Sequence, residues 1–160
     1  MNAHQFDSTS PEATEAAAAA IGRACRGGEV ILLSGPLGAG KTRFVRGLLA
    51  GLGGDARRVK SPTFGVLHRY PAARTTLDHF DAYFVRDPDE LSRNGLGEFL
   101  AAGDVAVVEW AERIPTAFPS DALAITLAVT GETSRRLSAV AGGPRSQGLA
   151  EAFAAASMSL

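Results

Sequence analysis

Apolar positions along the chain follow two rhythms. "EVILLSG" and "DVAVVEW" are short unbroken runs of branched residues, the pattern of strands buried on both faces. "TRFVRGLLAGLGG" instead places Phe44, Val45, Leu48, Leu49 and Leu52 at helical spacing and stops at Gly53-Gly54. Upstream, Ser10-Pro11-Glu12 predicts a helix start. Ser10 can cap, Pro11 suits the first helical position and Glu12 favours the positive end of the dipole. That helix is predicted to run to about Arg26 and to stop at Gly27-Gly28. "FGVLHRY" and "TTLDHFDAYF" predict two strands joined by the turn "PAAR". "DPDELSRNGLGEFL" predicts a helix capped by Asp87, with Pro88 at its first position and weak points at Gly95 and Gly97. "LAITLAVT" and "SRRLSAVA" flank "GET" as an antiparallel hairpin, and "SQGLAEAFAAASM" predicts a last helix. The sum is an α/β core with antiparallel additions.

Composition narrows this little. A length of 160 residues fits one domain, with residues 1 to 9 expected to be a flexible N-terminus. The apolar fraction of 46% and charged fraction of 21% are ordinary for a soluble globular chain. A formal net charge of −1 supplies no whole-protein field for nucleic acid, though a local basic patch stays open. Cys25 is the single cysteine, so no internal disulfide forms and a reducing compartment is the natural setting. The alanine run near residue 16 is too short and broken to span a bilayer, and the N-terminus lacks a signal-peptide pattern. The expected location is the cytoplasm.

Residues 35 to 42, "GPLGAGKT", match G-x-x-x-x-G-K-[ST] at every fixed position, between a predicted buried strand and a predicted helix. Gly35, Gly38 and Gly40 let the backbone turn and bring N–H groups near phosphate oxygens. The helix beginning near Lys41 adds its positive end. Lys41 would set an ammonium at the β- and γ-phosphates, and Thr42 would give a hydroxyl to Mg²⁺. The motif points to a nucleoside triphosphate and not to a particular use of it.

Glu109 ends the second buried run. A carboxylate at the carboxyl end of a parallel strand can hold Mg²⁺ opposite Thr42; equally, it can mark where the strand meets solvent. Trp110 beside it reads as packing. "VKSPTFG" follows the first loop–helix unit as a switch segment would, with Ser61 and Thr63 offering hydroxyls; it also fits an ordinary Ser-Pro turn. In "TTLDHFDAYF" an extended chain puts His79, Asp81 and Tyr83 on one face and Asp78 on the other. The face of Asp81 is either a solvated strand face or part of a nucleotide cleft, with His79 and Tyr83 as its expected supports.

In this order, "SPEAT", "GPLGAGKTRFVRGLLAGLG", "VKSPTF", "HFDAY" and "VVEW" resemble the bacterial TsaE (YjeE) family, over about Ser10 to Val140. The resemblance implies a P-loop NTPase-like three-layer sandwich with a mostly parallel central sheet and antiparallel hairpin additions. It implies binding of ATP and Mg²⁺, with hydrolysis slow alone and faster with partners. Those partners are TsaB and TsaD, which install threonylcarbamoyl on adenosine 37 of tRNAs reading codons that begin with adenine. The ATPase resets or regulates that complex and meets tRNA indirectly, through it, with no membrane involved; whether it also touches tRNA directly stays open. By motif position, Gly38, Ala39, Gly40, Lys41 and Thr42 form the phosphate cradle and Thr42 and Glu109 the Mg²⁺ pair. Asp81 is the water- or metal-orienting acid, and Thr63 lies in the switch-like segment. Pro11, Arg135 and Arg136 lie where the family approaches the far side of the nucleotide. The chain departs from the family pattern at Phe84, where arginine is frequent, and at Pro36, where an acid is common.

Two other functions use the same loop. A small-molecule kinase needs a mobile arginine-rich lid, and no segment combines arginines with such a lid. A nucleotide-gated interaction module needs no hydrolysis, but the retention of Lys41, Thr42, Asp81 and Glu109 favours some. No N-K-x-D motif argues for GTP.

Overall fold

The computed structural model describes residues 3–60 and 66–160. Ser61 and Thr63, the switch-like candidates, lie outside the described residues. Seven strands form one mixed sheet: β1 (His4–Ser8), β2 (Val30–Ser34), β3 (Leu67–Pro71), β4 (Thr76–Asp81), β5 (Val105–Glu109), β6 (Leu123–Val129) and β7 (Arg135–Ala141). Their order is β1-β7-β6-β2-β5-β4-β3. The four central strands, β6, β2, β5 and β4, run parallel; β3 adds antiparallel at one edge, and β7 then β1 at the other. The predicted α/β sandwich, with a parallel centre and a β6–β7 hairpin, is therefore what forms.

Alternation along the strands divides the core in two. Ile31, Leu33, Leu77, Val105 and Val107 pack toward α1 (Pro11–Ala24), α2 (Lys41–Gly51) and α5 (Pro144–Ser157). Val30, Phe80, Ala106 and Val108 face the other way, toward α3 (Glu90–Arg93) and α4 (Leu96–Ala101). This parity sets the site. His79 and Asp81 follow Leu77, and Glu109 follows Val107, so all three sit on the α1–α2 side.

α1 begins as predicted, with Ser10 Oγ accepting the Ala13 N–H at 3.1 Å. Its alanine run has a structural purpose. Ala17 and Ala18 are fully buried, and α1 approaches α2 so closely that a Cβ on Gly47 would lie 2.2 Å from Glu15 O. Gly51 meets Ala19 O at the same hypothetical distance.

Four expectations are corrected. Residues 4–8 are not a flexible tail but strand β1, because Phe6 points inward against Phe153 while its neighbours face out and β7 supplies the ladder. β4 stops at Asp81 rather than continuing to Phe84, since Asp81 Oδ1 accepts the Tyr83 N–H at 2.8 Å and closes a tight turn. The single helix expected after Asp87 is two short ones, broken at Gly95, which adopts φ 101°. Asp87 caps neither; its Oδ1 takes the Asp89 N–H instead.

Asp78 points to the far face, away from Asp81, and is fully buried there. Arg69 bridges it to Asp104, with Nε 2.8 Å from Asp78 Oδ1 and Nη2 2.8 Å from Asp104 Oδ2, while its guanidinium stacks on Phe99. Asp78 Oδ2 has no hydrogen-bond partner. Burial, with Asp104 adding to it against the pull of Arg69, pushes Asp78 up to about 7. The folded state therefore holds a proton that the unfolded chain releases near 4, and stability falls as pH rises through the folded value. Between pH 5.5 and 8 the loss should be on the order of 2 kcal/mol. Asp78→Asn should flatten that profile in urea titrations at the two pH values; an unchanged slope would show that Asp78 is ionised throughout.

No helix among the described residues is long and apolar enough to cross a membrane.

Candidate nucleotide site

The loop between β2 and α2 carries the glycine pattern, and two of its glycines decide its shape. Gly35 adopts φ 154° against β6, where a Cβ would come 2.6 Å from Leu127 O. Gly38, at φ 80°, has no atom within 4 Å of where its Cβ would stand, so its backbone faces open space suited to a ligand. Arg135 of β7 braces the loop from behind. Its Nη2 donates to Gly38 O at 3.1 Å and its Nε to Ala39 O at 3.2 Å. Sequence reasoning placed Arg135 beside the nucleotide; its visible contacts are with the loop itself.

Lys41 is nearly buried, at 6% exposure. Its Nζ donates to Gly35 O at 2.5 Å and Pro36 O at 3.1 Å, and lies 3.7 Å from the centre of the Trp110 ring. Burial pulls its pKa down, while Glu109, Glu112 and Asp81 hold it up. Trp110 therefore does more than pack. It is the only described residue other than glycine with positive φ, at 59°, and its ring covers the ammonium. No signal in the sequence marked this role except adjacency to Glu109.

Lys41, Thr42, Asp81, Glu109 and Trp110 line one cavity of ≈ 240 Å³ with Gly38, Ala39 and Gly40. Asp81 and Glu109 are register partners across β4 and β5, which puts two carboxylates at adjacent strand ends facing the loop. Burial raises the Asp81 pKa, the Tyr83 N–H opposes this, and the charge of Glu109 adds to the rise. His79 is fully buried behind them. It was expected to support Asp81, but its Nε2 lies 2.5 Å from Glu109 Oε2, and its Nδ1 lies 3.4 Å from the Tyr70 hydroxyl. The strand parity was right, but the cross-strand neighbour wins because the imidazole reaches sideways to β5. Tyr83 supports Asp81 through its backbone N–H alone.

A second cavity of ≈ 230 Å³ shares Gly38 and Gly40 with the first and is lined by Pro11, Arg43, Glu132 and Arg135. Pro11 and Arg135 thus do come together around the loop. Arg136 does not. The alternation of β7 turns it outward, where Nε meets Asp7 Oδ1 of β1 at 2.7 Å.

The donors suit magnesium better than a softer ion. A threonine hydroxyl and carboxylates are hard oxygen ligands, and Mg²⁺ commonly takes one or two carboxylates plus phosphate and water. Among the described residues no group of three or more His, Cys, Asp or Glu is placed to hold a metal ion.

A family model described as "Threonylcarbamoyl adenosine biosynthesis protein TsaE" matches residues 8–137. The chain belongs to the TsaE family. The TsaE match takes in the whole loop, Asp81, Glu109, Trp110 and Arg135. The chain is 36% identical over 151 residues to a protein of Bacillus subtilis named "tRNA threonylcarbamoyladenosine biosynthesis protein TsaE", covering 94% of each. It is 37% identical over 117 residues to a Treponema pallidum protein of the same name, covering 73% of this chain and 85% of that one. A crystal structure of YdiB from Bacillus subtilis superposes with a TM-score of 0.78 at 28% identity, over 96% of this chain and 95% of the other. Phe84 is 82% exposed just past the β4 turn.

Proposed function

We propose that the chain is the ATP-hydrolysing subunit in the biosynthesis of threonylcarbamoyladenosine on tRNA, acting in the cytoplasm with TsaB and TsaD as a regulatory or resetting ATPase. One observation carries the reading: a phosphate loop with its lysine faces two register-paired carboxylates on adjacent parallel strands inside a single cavity. That arrangement suits binding of a triphosphate and in-line attack on it.

The residues divide the work. Loop N–H groups from Gly38 to Thr42 and the Lys41 ammonium hold the phosphates of ATP, with Lys41 exchanging its bonds to Gly35 O and Pro36 O for phosphate oxygens. Thr42 and Glu109 would hold Mg²⁺, which would supply charge neutralisation to the triphosphate. His79 fixes the Glu109 carboxylate from behind. Asp81, half-buried and with a raised pKa, orients the attacking water and takes its proton. Pro11 and Arg135 shape the outer cavity.

Asp81→Ala should leave ATP affinity within about threefold and lower turnover in the presence of TsaB and TsaD by roughly a hundredfold. Asp81→Asn keeps an acceptor for the Tyr83 N–H, so an equal loss in both variants assigns the effect to the carboxylate and not to the turn. Normal turnover in both would reduce Asp81 to a turn residue. Stimulation of hydrolysis by TsaB–TsaD favours the switch; phosphate transfer to a small acceptor would favour a kinase.

A further inference from the structure

At the opposite end of β2 from the phosphate loop lies a larger cleft, ≈ 630 Å³, that the nucleotide chemistry does not use. Three separate parts of the chain bring arginines to it. Arg23 comes from the last turn of α1 and Arg26 from the loop after it, Arg74 from the β3–β4 turn and Arg145 from the first turn of α5. All four are exposed, and among the described residues none lies within ion-pair distance of a carboxylate. Elsewhere Arg43, Arg57, Arg69, Arg93 and Arg136 are paired, while Arg46, Arg58, Arg86, Arg113 and Arg135 also have no carboxylate within ion-pair distance among the described residues but do not gather at this cleft. Four unneutralised guanidiniums around one concavity cost electrostatic repulsion, on a chain whose net charge is only −1.

The cleft is also built. Arg145 Nη1 donates to Gly27 O at 3.3 Å, and it crosses Gly28 so closely that a Cβ there would meet it at 2.2 Å; Gly28, at φ 88°, makes room. The acid in the lining, Glu29, is buried, and its two oxygens accept the N–H groups of Arg26 and Gly27, each at 2.7 Å. Its charge stabilises the turn that presents the arginines. Asp121 nearby is likewise occupied by the Arg145 and Ser146 N–H groups.

We infer that this cleft binds the phosphodiester backbone of the tRNA, an inference that rests on the proposed role in tRNA modification. Guanidinium forks match phosphate oxygens, and four of them spread around ≈ 630 Å³ suit successive phosphates rather than one. Among the described residues no aromatic side chain lines the cleft, so they offer no stacking platform there and suit backbone rather than bases. It also lacks the aromatic centre that anchors protein partners. Glu29 and Gly35 flank the five residues of β2, so the cleft and the phosphate loop stand roughly 20 Å apart. The two can be filled together.

Fluorescence anisotropy with a labelled tRNA reading a codon that begins with adenine tests this on the full chain. Four phosphate contacts give a slope of about −3 in log affinity against log salt. Arg26→Glu with Arg74→Glu should weaken binding at least tenfold at about 0.1 M salt and make the slope shallower by about 1.5, while ATP titration stays unchanged. Arg26→Gln with Arg74→Gln should weaken binding in the same direction, and serves if charge reversal prevents folding. Arg86→Glu with Arg93→Glu, placed on and beside α3, changes the net charge equally and should alter tRNA affinity less than about twofold. Undetectable tRNA binding by the unaltered chain, equal affinity in the cleft variants, or an equal loss in the α3 control would overturn the inference. So would intact tRNA affinity combined with lost association with TsaB and TsaD, which would assign the cleft to an acidic protein surface. Failure to bind ATP, with cleft-dependent tRNA binding preserved, would strike the nucleotide reading and leave this one standing.

Discussion

Lys41→Ala is expected to weaken ATP binding about a hundredfold in titration calorimetry. A charge-assisted contact to phosphate is worth up to about 3 kcal/mol, and each 1.4 kcal/mol is about tenfold. The ammonium is nearly buried and held close to the loop carbonyls, so little reorganisation precedes its transfer to a phosphate. Alanine removes that charge and also leaves the Trp110 ring, the Gly35 carbonyl and the Pro36 carbonyl without their common partner. Loop order should fall with affinity. Unchanged calorimetry would remove the basis of the nucleotide reading, because no other lysine stands in the cavity.

The second large effect is on folding. Gly47→Ala should destabilise the protein by about 3 kcal/mol or more in urea, despite the gain of about 1 kcal/mol in helix propensity that alanine normally brings. The added Cβ would lie 2.2 Å from Glu15 O and 2.7 Å from Glu15 Cα, and both obstacles are backbone. Relief requires α1 and α2 to separate, opening the core around Leu48 and Val45. α2 begins at Lys41, so separation also tilts the helix end that faces the phosphates. Gly148→Ala is the control. Its Cβ would meet nothing within 4 Å in α5, so it should be neutral or stabilising by about 0.5–1 kcal/mol. Equal stability of the two variants would show that the interhelical contact gives way cheaply.

Much of this was legible in the chain because it is local. The phosphate loop is a contiguous motif whose glycines answer local backbone demands, and β2 and β5 are apolar runs that can only be central strands. That Asp81 and Glu109 belong to one nucleotide site was read from the motifs; that they are register partners at adjacent strand ends was not, since β4 was expected to continue to Phe84. What escaped depends on partners far away in sequence. β1 looks like a polar tail because one inward phenylalanine is a weak signal until β7 stands beside it. His79 was assigned to the right face and the wrong acid, since register between β4 and β5 cannot be read from either strand alone. The split of α3 from α4 was half visible in Asn94-Gly95, where a left-handed residue wins over helix propensity. Arg135 and Arg136 look equivalent in "SRR", yet alternation sends one to the loop and the other to Asp7.

The pairing of β1 with β7 reaches further than the edge of the sheet. Ser8 is the register partner of Arg135, so the first strand of the chain clamps the strand whose guanidinium stiffens the phosphate loop. Trimming the opening residues as a dispensable leader would free one side of β7 and transmit slack to the loop at one remove. The stretch that looks least like part of the phosphate-loop machinery is the outer wall of its frame.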